Sequence, residues 1–278
     1  MSDDAVARPF WSLLGQATVY ELRKQVAFRV GFLIREVSHG IVEPLVMLFV
    51  FWALYDSAGE GASLRGWTFP ELVRYLAGLL VVRKIVFHNR ALDLSTQIFE
   101  GRVTKYLVMP MDYFVLAAAR FAQYTALQLG VGLITWCLGA ALAPAHWLFP
   151  TSALAVAGAL TLVLLGSWCC FLVYYILNAL AFWLDVVWSL LVMAWFVISF
   201  AGGAILPVSQ MPAPVARVLE FGFPYWAISA PIEVLMGRLG ASDIGRGLVV
   251  LGVTITLLEV LRRVVWRRGL AHYGGAGM

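Results

Sequence analysis

The chain has 278 residues, 62% of them hydrophobic and 13% charged, with a mean hydropathy of +0.84. Soluble domains carry roughly 25% charged residues, so this composition excludes an ordinary soluble domain and places the chain among membrane proteins. The net charge is +4, and 17 of the 20 basic residues are arginine; they flank apolar segments as membrane-edge charges do, which argues against a nucleic-acid surface.

The apolar runs are continuous and do not alternate every second residue, so helices are expected and not a barrel. The N-terminus, MSDDAVARPFW, is acidic and then aromatic, without a basic region ahead of a short apolar stretch, so no cleaved signal peptide is expected. Residues 1–33 read as a cytoplasmic N-terminus. Within them, 9–30 place Phe10, Leu13, Leu14 and Ala17 on one helical face and Ser12, Gln16 and Arg23 on the other. That pattern suits a helix lying in the membrane interface with Trp11 at headgroup depth. Val19 and Glu21 break it, and a plain flexible leader is the alternative.

A hydrocarbon core needs about 20 apolar residues per helix. On that basis six spans are predicted, at 34–55, 70–87, 113–142, 151–177, 186–204 and 247–265, forming one all-α membrane domain over 34–265. Residues 266–278 read as a cytoplasmic tail, with YGGAGM as its disordered end. Arg8, Arg23, Lys24, Arg29, Arg35, Lys84, Arg90, Arg102, Lys105, Arg120, Arg262, Arg263, Arg267 and Arg268 collect on one side of this topology. Arg65, Arg74, Arg217, Arg238 and Arg246 fall on the other. The richer side is cytoplasmic, and so are both termini. Cys137, Cys169 and Cys170 have neither metal-ligand nor disulfide spacing and are expected to be small core residues.

Between the second and third spans lies STQIFEGRVTKYLVMP, polar and turn-punctuated. Residues 92–100 can form a short helix with Leu94, Ile98 and Phe99 exposed or half exposed. Gly101 is its natural C-cap, and Pro110 stops the chain before the third span. A cytoplasmic helix with apolar knobs and flanking charge is a docking surface for another protein; a membrane-hugging connector is the alternative reading.

The stretch 202–237 is broken by Pro207, Pro212, Pro214, Pro224 and Pro231, yet it is too apolar for an ordinary outer loop. Two short helices, at 215–221 and 225–235, fit it. Non-helical backbone at membrane depth is tolerated when buried in protein, so a re-entrant hairpin entering from the outside is expected. A surface amphipathic loop is the alternative.

No phosphate-binding loop, H-E-x-x-H or G-x-S-x-G is present, and His39, His88, His146 and His272 form no ligand cluster. No catalytic or metal-binding residue is therefore assigned. Ionisable residues in spans are costly and default to functional candidates. Here they are Arg35, Glu43, Arg83, Lys84, Arg120 and Glu259, with Asp185 just before the fifth span. Arg35, His39 and Glu43 can share a helical face, and Arg262 and Arg263 are local partners for Glu259. Most lie near the cytoplasmic end, where snorkelling or mutual pairing suffices.

The order of these pieces resembles the permease subunit of type-2 ABC exporters. The matching residues are Glu43-Pro44-Leu45; Glu100-Gly101-Arg102 with Tyr106-Leu107 and Pro110; and Gly203 with Leu206-Pro207 and Pro212. The phrase ALAFWLDVVWSL is similar to one subfamily of small permeases that often pair two different permease chains with one ATPase. Polysaccharide-exporter permeases share the architecture and usually pair as homodimers. The resemblance implies a coupling role toward an ATPase for Leu94, Ile98, Phe99, Glu100, Gly101, Arg102, Tyr106 and Pro110. It implies an outer-gate role for Gly203, Leu206, Pro207, Pro212, Pro214, Pro224 and Tyr225. It further implies a second permease copy or paralogue, a bacterial inner-membrane location, and no cofactor in this chain, ATP and Mg being held by the ATPase dimer. The substrate stays open among polysaccharide, lipid, peptide and drug. An ion-gradient-driven transporter, which needs mid-membrane carboxylates, and a non-transporting scaffold are the competing classes.

Overall fold

The computed structural model describes residues 43–59, 63–64, 66–87, 94–107, 112–147, 149 and 152–273. The expected interface helix, Arg35, His39, His88, Pro110 and the end of the tail lie outside the described residues. Helix α1 (Glu43–Ala58) opens the described chain, with Glu43 as its first residue. A feature absent from the all-α expectation follows it: a minute antiparallel pair, β1 (Ser63–Leu64) and β2 (Trp67–Thr68). Ser63 lies opposite Thr68 and Leu64 opposite Trp67.

Helix α2 (Phe69–Val86) starts on a capping box, the Thr68 backbone N–H donating to Glu71 Oε2 at 2.9 Å, with a proline in the first turn. Two short helical pieces, α3 (Leu94–Phe99) and α4 (Thr104–Leu107), fill the polar connector. Helix α5 (Tyr113–Leu142) is capped by Asp112, which accepts from Phe114 N at 2.9 Å. After α6 (Pro144–Trp147) comes α7 (Ala153–Ala179), capped by Ser152 and ending in a 3-10 turn over Leu180–Phe182. By length and composition, α5 and the Ala153–Phe182 run are long and apolar enough to cross a membrane. Helix α8 (Trp188–Ala201) is entirely apolar apart from two serines, and only Ile198 and Ser199 of it are buried.

The proline-broken stretch comprises a 3-10 turn at Val208–Gln210 and helices α9 (Ala213–Leu219), α10 (Phe223–Ala227) and α11 (Ser229–Leu235). Helix α12 (Ala241–His272) closes the described chain. It begins before and ends after the expected 247–265 span, so the first residues of the expected tail are helical.

Contacts fix the relative directions of the long helices. A side chain at Gly158 of α7 would meet Ile244 of α12, and one at Gly269 of α12 would meet Phe182. The two helices therefore run parallel. Tyr55, late in α1, donates to the Trp67 carbonyl at the start of α2 (2.8 Å). Arg74, early in α2, donates to Ala145 just beyond α5 (3.1 Å). The long helices thus alternate between two ends: a connector end holding α3 and α4, and a hairpin end holding α9–α11. Arg74, Arg217, Arg238 and Arg246 fall at the hairpin end, as their grouping in the sequence predicts.

Helix α7 is the spine of the fold. It packs against α2, α10, α11 and α12, and Leu162, Cys169, Cys170, Leu172 and Tyr175 on it are fully buried. Cys169 and Cys170 are core residues as expected. Cys137 is exposed on α5, contrary to expectation, because that part of α5 has little packed over it.

Candidate functional site

The connector differs from its prediction in one decisive respect. Leu94 and Ile98, expected at the surface, are 0% and 4% exposed, whereas Phe99 is 69% exposed. Leu94 and Ile98 sit one helical turn apart and so share a face. They join a cluster with Val103, Tyr106, Tyr113, Phe121, Phe171, Tyr175 and Phe182. The helix is anchored by two aliphatic side chains, and its other face is left free.

Gly101 has φ +71°, the left-handed conformation of a helix C-cap, and its N–H donates to the Ile98 carbonyl at 3.1 Å. Glu100 and Arg102 beside it form an exposed ion pair of 2.8 Å, a contact worth little by itself. Tyr106 packs edge-on against Tyr113, with ring centroids 5.1 Å apart. The chain anchors the helix from outside the segment as well: Asn178, near the end of α7, accepts from Ser95 N at 3.3 Å.

Glu259 has the local partners that the sequence indicated. Arg262 donates to it twice, at 2.8 and 2.6 Å, and Arg263 once, at 3.0 Å. The Arg262 guanidinium also lies 3.6 Å from the Phe114 ring centroid, a cation–π contact. Trp266, one turn further, stacks on Tyr113. The ion pair therefore borders the same aromatic cluster as the connector helix. Arg83 and Lys84 are half-buried in the last turn of α2, Arg120 is half-buried in α5, and Asp185 is exposed ahead of α8.

At the opposite end, the expected second hairpin helix, 225–235, is two helices. The break falls at Ile228. Pro231 explains it: a proline has no N–H for the carbonyl of the residue four back, and its ring clashes with that carbonyl. Ala227 is that residue. Pro214 and Pro224 lie in the first turns of α9 and α10, where proline is favoured, and Pro212 is the cap residue of α9. Pro207 and Pro224 are buried, Leu206 is half-buried, and Pro212 and Pro214 are exposed.

Gly203 has φ +80°, and a side chain there would collide with Ser229 Oγ and the Tyr75 hydroxyl. Those two hydroxyls close the end of α8: Tyr75 Oη lies 2.8 Å from the Gly203 carbonyl oxygen and Ser229 Oγ 2.9 Å from that of Gly202. They lie 2.6 Å from each other. Tyr225 contributes through Glu233, which sequence reasoning missed. Glu233 is 3% exposed and accepts from Tyr225 Oη (3.1 Å) and Ser209 Oγ (3.0 Å). Arg238 then ties the hairpin to the strand pair, pairing with Glu71 at 2.9 Å and lying 3.9 Å from the Trp67 ring centroid.

The architecture is that of a helical membrane protein with a docked polar connector at one end and a broken hairpin at the other. The family described as ABC-2 family transporter protein matches residues 41–277, which is all but the first 40 residues and the last one. The chain belongs to that family and is a permease of an ABC transporter. No curated protein matches it.

Proposed function

We propose that the chain is one permease half of an ATP-driven exporter in the bacterial inner membrane, crossing it six times with both termini in the cytoplasm. A second permease copy or paralogue completes the transport path. A separate ATPase dimer, carrying ATP and Mg, supplies the work. The alternating directions of the long helices and the segregation of basic residues support this topology. The connector 94–102 is the coupling element on which the ATPase acts, and the hairpin from Gly203 to Tyr225 forms the outer gate.

One observation carries the coupling role: α3 buries Leu94 and Ile98 but leaves Phe99, a large apolar side chain, in the open beside Glu100 and Arg102. An apolar knob rimmed by charge on a firmly seated helix suits a protein groove. An ion-gradient mechanism finds less support, because Glu259, a carboxylate it would use, is held by two arginines.

The test is to co-express the permease with the ATPase encoded beside it, then measure co-elution and ATP hydrolysis in nanodiscs. Wild type should retain the ATPase and Phe99→Asp should release it while staying folded. Equal retention by both would remove the coupling role from this helix.

A further inference from the structure

The connector is joined by the chain to α2 and α5, which precede and follow it. Side-chain contacts tell a different story. Asn178 is 2% exposed and lies one residue from the end of α7. Its Nδ2 donates to the Tyr174 carbonyl at 2.8 Å, which fixes the orientation of the amide. Its Oδ1 is thereby aimed at Ser95 N, in the first turn of α3. A first-turn N–H has no partner within its own helix, so Asn178 supplies an acceptor that α3 lacks. The Leu94 and Ile98 side chains seat against the same end of α7 and its 3-10 turn.

The other end of α7 meets the hairpin with comparable intimacy. A Cβ at Gly166 would lie 2.6 Å from the Ala227 backbone Cα. Ala227 is the last residue of α10, next to the Ile228 break. Between Gly166 and the Ala227 backbone only the Ala227 methyl, which has no rotamer to change, could absorb a displacement, and close-packed interiors transmit it. Gly166 and Asn178 are twelve positions apart, about 18 Å along a helix. α12 lies parallel to α7 and touches both regions too, through Gly247 against Trp226 and through Trp266 against Tyr113. Helix α5 touches the connector cluster, but further along it meets α2, at Gly132 against Val81, and α6, at Gly139 against Trp147.

We infer that α7, moving with α12, carries displacement of the coupling helix to the outer hairpin, with Asn178 and the Gly166–Ala227 contact as its two joints. This rests on the coupling reading given above. Asn178 is a positioning residue: it holds the coupling helix to the rod and touches no substrate.

The experiment uses the complete permease–ATPase complex in nanodiscs, in a Cys137→Ala background. Cys169 and Cys170 are fully buried, out of reach of labels. Thr104→Cys reports on the connector and Val218→Cys, 70% exposed in the native chain, on the hairpin. Spin-label mobility is recorded at each, with and without ATP–Mg and vanadate. In the otherwise native chain both positions should respond. In Asn178→Leu, and independently in Gly166→Val, the complex should assemble and position 104 should respond, while the response at 218 is lost. A full response at 218 in both Asn178→Leu and Gly166→Val overturns the inference and leaves the coupling role standing. Silence at 104 in the native complex overturns the coupling role and the inference together.

Discussion

Phe99 and Ile98 are adjacent, apolar and on one short helix, yet replacing them should have opposite kinds of effect. A phenylalanine side chain presents roughly 200 Å², and Phe99 is 69% exposed, so roughly 140 Å² remains to be buried by a partner. At about 25 cal/mol per Å² that is a ceiling near 3.5 kcal/mol. Ordering and imperfect burial reduce it to about 1.5–3 kcal/mol. Phe99→Ala should therefore weaken ATPase binding by roughly 10- to 100-fold. The fold should change by no more than about 0.5 kcal/mol, as for other surface substitutions. Ile98 is 4% exposed, and Ile98→Asp would place a carboxylate among aromatic rings at a cost of several kcal/mol. That variant should lose the ATPase because it loses the local structure. The assay pairs an equilibrium binding titration of purified ATPase against nanodisc-embedded permease with thermal unfolding of each variant. Phe99→Ala binding within about twofold of wild type, at unchanged stability, would refute the docking argument.

The other charged and strained positions give their own tests. Glu259→Gln leaves the Arg262 guanidinium, 8% exposed, without its carboxylate, and should cost about 3 kcal/mol, read as a lowered unfolding midpoint. An unchanged midpoint would show that the pair contributes nothing to the fold. Gly203→Ala forces an L-residue into a left-handed conformation, about 1–2 kcal/mol, and drives its methyl into Ser229 and Tyr75. Limited proteolysis should then cut the hairpin faster, and an unchanged rate would contradict the close packing. Tyr75→Phe removes a fully buried donor from the Gly203 carbonyl and should cost about 1–3 kcal/mol, again visible in thermal unfolding.

Much of this was legible in the chain. The third span predicted at 113–142 coincides with α5, whose Asp112 cap is seen in the structure. The predicted last span ends at 265, just ahead of Arg267 and Arg268, whereas the helix runs to His272. The helix continues because long cationic side chains can reach water without unwinding the backbone. The buried face of α3 differs from the expected one for a physical reason: six residues offer two possible faces, and the surface that selects one belongs to α7, some 80 residues on. The break at Ile228 was readable from Pro231. Asn178 and Glu233 were not, since each is a lone polar residue in an apolar window and its partners come from distant segments. The expected interface helix, Arg35 and Pro110 lie outside the described residues.

The joint between α8 and the hairpin has a consequence in proton count. Tyr75 and Ser229 bring two hydroxyl protons to three short contacts: the Gly203 carbonyl, the Gly202 carbonyl and each other. One contact must therefore lack a proton. If either hydroxyl donates to the other, one carbonyl is released; if both donate to carbonyls, two oxygens face each other bare. The two arrangements with one free carbonyl hold equal numbers of hydrogen bonds. Exchanging them frees Gly202 in one case and Gly203 in the other, at the point where α8 stops being a helix. The end of α8 is thus held by the same number of hydrogen bonds whichever of the two glycine carbonyls goes without a hydroxyl proton.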